Sequence, residues 1–207
     1  MKLNPILNLI LASILCLSAC KSEKQKLILP VFGEKKWHEG DTVYHTIADF
    51  ELVNQYGEYV NKKTVSNKIY VANFFFATCQ SICPEMSTNL VDIQAAFKKD
   101  DSLLILSHSI NPLHDTVEVL KNYATTYHAE KNKWHLLTGD KKQIYNLAKT
   151  SYLVNALEDD GTPEGFLHSE LFLLIDKKGR IRGMYDGTNK VEVKKLIDDI
   201  KLLKQEQ

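Results

Sequence analysis

Residues 69–86 read IYVANFFFATCQSICPEM. Ile69 to Ala77 is almost continuously apolar and rich in β-branched and aromatic side chains, the pattern of a strand buried on both faces. Met86, Leu90, Ile93 and Phe97 then recur at helical spacing, and Pro84 fits the first turn of a helix running to about Lys99. Between strand and helix lie Cys79 and Cys83. Pro84 biases Cys83 away from helical angles, so the spacing predicts Cys83 at the helix cap and Cys79 in the loop before it. Three intervening residues let such a loop turn both sulfurs inward. Thiolates at the positive end of a helix have lowered pKa values, which favours metal binding and redox chemistry alike.

The alternation continues downstream. Leu103 to Ile110 reads as a second buried strand, and Asp115 to about His128 as a helix begun by an Asp115-Thr116 cap signal. Trp134 to Leu137 is a short strand, Asp140 caps a helix to about Lys149, and Leu171 to Ile175 is another apolar strand. A Lys177-Lys178-Gly179 turn leads into Ile181 to Tyr185, and Val191 to Leu203 closes the chain with an amphipathic helix. Upstream, Ile47 to Val53 reads as a strand that turns at Asn54 to Gly57 into a short partner at Glu58 to Val60. This order gives an α/β protein of thioredoxin-like fold, a central mixed sheet flanked by helices with an N-terminal hairpin extension. Asn155 to Gly165, rich in Asp, Gly, Pro and Glu, reads as a loop inserted just before His168.

The first twenty residues stand apart from that pattern. Lys2 precedes an apolar run from Ile6 to Ala19, too short for the ~20 residues of a membrane-spanning helix and suited to a signal h-region. It closes on Leu17-Ser18-Ala19-Cys20, which resembles a bacterial lipobox. The expected organisation is a lipoprotein signal peptide at 1–19, a lipid-anchored tether and lead-in segment at 20–43, and the folded domain at 44–207. The place is the bacterial cell envelope, held to a membrane and facing the periplasm. Cys16 then leaves with the signal and Cys20 carries lipid, so Cys79 and Cys83 remain as a dithiol in an oxidising compartment, open to forming a disulfide. Lys plus Arg and Asp plus Glu each number 26 in 207 residues, so the balanced charge gives no electrostatic reason to expect nucleic acid.

Two thiolates are soft donors suited to Cu(I) or zinc. A structural zinc site usually takes four protein ligands, and no further mature cysteine completes one. A thiolate pair with one imidazole gives three donors, a set suited to trigonal Cu(I) and adaptable to Cu(II). Among seven histidines, His168 stands at the site-forming edge, between the inserted loop and a buried strand. His38, His45, His114, His128 and His135 read as surface or capping residues. His108, near the end of a central strand, is left out of the donor set.

The chain resembles the Sco/SenC family from about residue 44 to 203. TCQSICP (78–84) resembles the family's T-C-x-x-x-C-P motif, and HSINPLHDT (108–116) its S-x-D-P-x-x-D-T stretch. TGDKKQI (138–144) resembles the opening of the third helix, and LHSELFLLIDKKGRI (167–181) the region that holds the family's metal histidine. The resemblance implies copper binding by Cys79, Cys83 and His168, and delivery to the dinuclear copper centre of cytochrome c oxidase. Its partners would be the copper-centre subunit of the oxidase, an upstream copper donor and a thiol reductant. Three positions depart from the pattern. Asn111 replaces a usual aspartate, Val117 a common proline, and Leu167 the acidic residue that often precedes the metal histidine.

The rival is a thiol–disulfide oxidoreductase. Such enzymes usually carry C-x-x-C rather than C-x-x-x-C, and a proline immediately before the strand facing the dithiol. Glu170-Leu171-Phe172 occupies that place, with no proline after Pro163. The expectation is therefore a metal carrier rather than an enzyme, with dithiol chemistry at the same sulfurs as the alternative.

Overall fold

The computed structural model describes residues 27–154, 157–158, 166–167 and 169–206. The strand that opens the sequence argument is the centre of the molecule. β5 (Ile69–Phe75) and β6 (Leu103–Ser109) pair in parallel and are buried along their whole lengths, because helices cover both faces of the sheet. β7 (Trp134–Thr138) adds to β6 in parallel. β10 (Leu171–Ile175) pairs antiparallel with β5, and β11 (Ile181–Asp186) antiparallel with β10. On the far side β3 (Glu51–Asn54) joins β7 antiparallel and carries β4 (Tyr59–Asn61) at the edge. The sheet order is β11-β10-β5-β6-β7-β3-β4, the mixed sheet that the alternation implies.

The helices are α1 (Lys62–Val65), α2 (Cys83–Ala96), α3 (Val117–Thr126), α4 (Lys141–Asn146) and α5 (Lys190–Glu206). Asn61 caps α1 and Asp140 caps α4 through their side chains. A single π turn, Leu147–Ser151, continues α4 to where one longer helix is expected. In α5, Val193, Leu196, Ile200 and Leu203 form the buried stripe. Among the described residues no helix is long and apolar enough to cross a membrane.

Four expectations shift. The strand expected at 47–53 forms only from Glu51, as β3, and residues 47–50 lead into it, with Ile47 N–H donating to Gly179 O (2.8 Å) and Ile47 and Phe50 entering the core. The helix expected from Asp115 starts at Val117, with Thr116 as its cap. Asp115 is fully buried and bonded elsewhere. The segment before residue 44, expected to be irregular, contains a surface hairpin, β1 (Lys35–His38) with β2 (Asp41–Tyr44). Short strand β8 (Leu157–Glu158), inside the stretch expected as a loop, pairs with β9 (Phe166–Leu167) just after it.

His108 lies in β6 with no exposed surface, stacked on Phe74 at 5.0 Å between centroids and tilted against Tyr152 at 5.1 Å. Its Nε2 finds no hydrogen-bond partner among the described residues. Burial holds its pKa down, at about 4 against an ordinary 6.5, so the ring is neutral. As pH falls from about 6.5 to about 4, the unfolded chain takes up a proton that the folded chain refuses. Stability present above pH 6.5 is thus lost across that window, by about 3 kcal/mol at 1.36 kcal/mol per unit. Burial lowers His135 in the same sense. His108→Phe is therefore expected to flatten, without abolishing, the acid slope of the unfolding free energy in guanidinium titrations at pH 7 and 4.5. An unchanged slope would show that His108 is not the group being charged.

Candidate metal centre

Strand β5 stops where its parallel ladder with β6 stops, at Phe75 opposite Ser109. Ile110 N–H donates to Phe75 O (2.9 Å) as the last backbone bond before the chains diverge. The cysteine loop follows, with Cys79 N–H on Phe76 O (3.2 Å), and α2 begins at Cys83 itself, with Ile82 as its cap and Pro84 in the first turn. Cys83 thus stands one position further into the helix than its sequence suggests, and Cys79 lies in the loop as expected. Both carry free thiols and both are buried.

The two thiols are unequal. A hydrogen bond from Cys83 lowers the pKa of Cys79 to about 5, with help from the Ser81 hydroxyl at 3.5 Å and from backbone N–H groups, against the opposing effect of burial. The same sulfur–sulfur hydrogen bond, then burial, pushes Cys83 up, and the negative charges of Cys79 and Asp115 add to the rise. The hydrogen bond between the sulfurs thus favours the proton on Cys83 and the negative charge on Cys79. A soft cation placed between them replaces that proton with a stronger partner.

This asymmetry predicts a labelling pattern. In the reduced, metal-free chain, iodoacetamide is expected to modify Cys79, with a rate that is nearly flat between pH 6 and 8. An ordinary thiol slows about 100-fold over those two units. Peptide mass spectrometry at several pH values checks both parts. Label on Cys83, or a tenfold slope per unit, would contradict the assignment.

A buried carboxylate braces the loop from the other side. Asp115 accepts from Ala77 N–H (3.0 Å) and Ser109 Oγ (2.6 Å) through one oxygen, and its other oxygen lies 2.9 Å from His114 Nδ1. The Asp-Thr pair in the sequence suggests only a helix cap. Nothing local signals a bond to a residue 38 positions earlier. Behind the loop, Tyr123 packs on Phe75 at 5.1 Å and hydrogen-bonds Ser87 of α2 at 2.7 Å.

The β10 register, Leu173 opposite Ala72 and Leu174 opposite Val71, brings the start of β10 to the end of β5 that leads into the cysteine loop. Glu170 O accepts from Gly187 N–H (2.7 Å), and Gly187 O from Asn89 Nδ2 of α2 (2.7 Å), tying this edge to the cysteine-bearing helix. His168 itself lies outside the described residues, as do Cys16 and Cys20. The other histidines serve local structure or the surface. His45 Nε2 meets Ser151 O at 2.7 Å, His135 Nδ1 meets Asn54 Nδ2 at 3.2 Å, and His38 is exposed. Among the described residues no three His, Cys, Asp or Glu side chains gather as a metal-holding group.

A family model described as SCO1/SenC matches residues 39–205. Among solved structures, a SCO1/SenC family lipoprotein from Bacillus anthracis superposes with a TM-score of 0.70 at 28% identity, covering 77% of this chain and 95% of that one. BsSco, a member of the Sco family of cytochrome c oxidase assembly proteins in which a disulfide switch was identified, gives 0.68 at 26%, over 77% and 93%. ScoI of Bradyrhizobium japonicum, solved with copper bound, shares the fold at 0.65 and 24%, over 76% and 99%.

Proposed function

The chain belongs to the SCO1/SenC family, and from that premise we propose that it is a copper metallochaperone for cytochrome c oxidase. It takes one copper ion as cargo through Cys79, Cys83 and His168 and passes it to the dinuclear copper centre. The observation that carries this reading is the pair of buried free cysteines, Cys79 in the loop and Cys83 at the head of α2. Such a pair is a ready-made soft donor set in which metal uptake releases a proton. The third donor, His168, is taken from its motif LHSELFLLID.

Three protein donors leave copper coordinatively open, so thiolates of a target subunit can enter as the chain's own leave. Each sulfur released takes back a proton or its partner's hydrogen bond. Loading requires the reduced dithiol, because a disulfide offers no thiolate. Residues 1–19 are read as a lipoprotein signal and Cys20 as the lipid-bearing residue, holding the domain at the periplasmic face of a membrane. The family likeness to a solved lipoprotein supports that placement.

The low pKa of Cys79 also favours a second reading, a thiol–disulfide reductant of the oxidase's own cysteines. One experiment separates the two. The mature chain, reduced and anaerobic, is titrated with Cu(I) against a chromophoric competitor, and a deletion strain is assayed for oxidase activity at limiting copper. One tightly bound copper per chain, with activity lost in the strain and restored by added copper, is the expected result. Fast disulfide turnover with no tight copper binding would overturn the chaperone reading in favour of the reductant.

A further inference from the structure

The parallel ladder between β5 and β6 ends with Phe75 opposite Ser109, and its last backbone bond is that of Ile110 N–H to Phe75 O. Ala77, the next residue whose amide faces β6, has no carbonyl to meet there, since β6 has already turned at Ile110. Its N–H instead donates to Asp115, a carboxylate with no exposed surface. The same oxygen takes the hydroxyl of Ser109, the last residue of β6, and Ser109 Oγ in turn accepts from Asn111 N–H at 3.1 Å. The other oxygen meets His114, whose ring is half-exposed at the rim. One buried charge therefore ends β6, orders the 109–116 turn and fixes the residue from which the chain departs toward Cys79.

A buried carboxylate is costly unless its oxygens are satisfied, and hydrogen bonds to a charged acceptor are about twice as strong as neutral ones. The satisfied arrangement at Asp115 uses the cysteine loop as one of its partners, so loosening the loop leaves part of the carboxylate bare. We propose that Asp115 is the positioning residue of the cysteine loop. Its charge holds Ala77, and through it the path of the backbone to Cys79, so that the two sulfurs are presented together. The metal arm of the test below rests on the copper reading above; the loop arm does not.

The test uses the reduced full chain carrying Asp115→Asn, Asp115→Ala, Ser109→Ala or His114→Gln. Asparagine keeps the size and one acceptor and removes the charge. Amide hydrogen exchange across residues 76–83 is expected to speed by about tenfold or more in Asp115→Asn, the loss that follows when a hydrogen bond to a buried charge is weakened. Asp115→Ala is expected to go further and Ser109→Ala less far. His114→Gln keeps the Ala77 bond and is expected to leave that exchange at the wild-type rate. Exchange in β11 and α5 stays unchanged throughout. In the copper-loaded chain, Asp115→Asn is expected to shift the thiolate-to-Cu(II) absorption and weaken binding by about tenfold. Wild-type exchange at 76–83 together with a wild-type absorption band in Asp115→Asn would overturn the proposal. So would loosening of 76–83 that occurs only together with β11 and α5, which marks general loss of the fold. A wild-type chain that takes no copper would defeat the copper reading alone, and the exchange arm would still decide the role of Asp115.

Discussion

Cys83→Ala is expected to weaken Cu(I) binding by more than about a hundredfold, beyond the 10–100-fold that follows loss of an outer-shell partner. Two effects combine. The variant removes one of two soft donors, and it removes the hydrogen bond that is the main cause of the low pKa of Cys79. The remaining thiol then rises toward the ordinary value of 9.0, and binding at neutral pH must also displace its proton. Cys79→Ala is expected to lose at least as much, because Cys83 stays buried and its burial still favours the thiol. Cys83→Ser separates the two effects, since a hydroxyl still donates to the Cys79 thiolate but is a poor ligand for Cu(I). It is expected to keep the low-pH reactivity of Cys79 and lose the metal. His168→Ala leaves both sulfurs, so its loss is expected to be smaller and to fall mainly on Cu(II), which favours imidazole. Competition titrations of both oxidation states, with the thiolate-to-Cu(II) absorption, check all four variants. Wild-type Cu(II) affinity and spectrum in His168→Ala would remove the third donor from the proposal.

The sequence carries the centre of this molecule clearly and its edges poorly, for physical reasons. β10 is a continuous apolar run, β5 nearly so, and β6 opens on four apolar residues, because both faces of the sheet are covered, and such runs are legible without tertiary knowledge. The cysteine pair is legible because spacing and Pro84 fix its place relative to a strand and a helix. The β1–β2 hairpin is not, since KKWH and DTVY contribute nothing to the core and show no clean alternation. Asp115 and His108 were ambiguous for a different reason. A helix-capping aspartate and a carboxylate that binds a backbone amide 38 residues away look alike in one dimension. A histidine in a strand shows its burial only when the strands beside it and the Phe74 and Tyr152 rings are in place. His168 is legible only through its motif and the family resemblance, and it lies outside the described residues.

Arg182→Ala is expected to cost about 3–5 kcal/mol of stability, the range for breaking a buried ion pair by removing one partner. Arg182 is 3% exposed and its guanidinium serves four groups. Nη1 lies 3.2 Å from Asp176 Oδ2 and Nη2 lies 2.6 Å from Glu206 Oε2, while Nη2 and Nε donate to Leu29 O (2.6 Å) and Pro30 O (2.8 Å). Leu29 N–H returns a bond to Glu206 Oε1 at 2.7 Å. Removing the cation leaves Asp176 with Arg180, but strips Glu206 of its ion pair and both carbonyls of their donor. Arg182→Lys keeps the charge without the planar fork and is expected to recover only part of the loss. Arg180→Met, at a side chain 18% exposed beside the same Asp176, is expected to cost clearly less. Guanidinium unfolding midpoints rank the three. The network also joins the C-terminal end of α5 to Leu29 and Pro30. Limited proteolysis of Arg182→Ala below its unfolding transition is therefore expected to cut first near Leu27 to Phe32, while β5 and the cysteine loop stay protected. If the variant instead unfolds within about 1 kcal/mol of wild type, the buried charges are solvated by routes other than Arg182, and the clamp between residues 29–30 and α5 is not where this network places it.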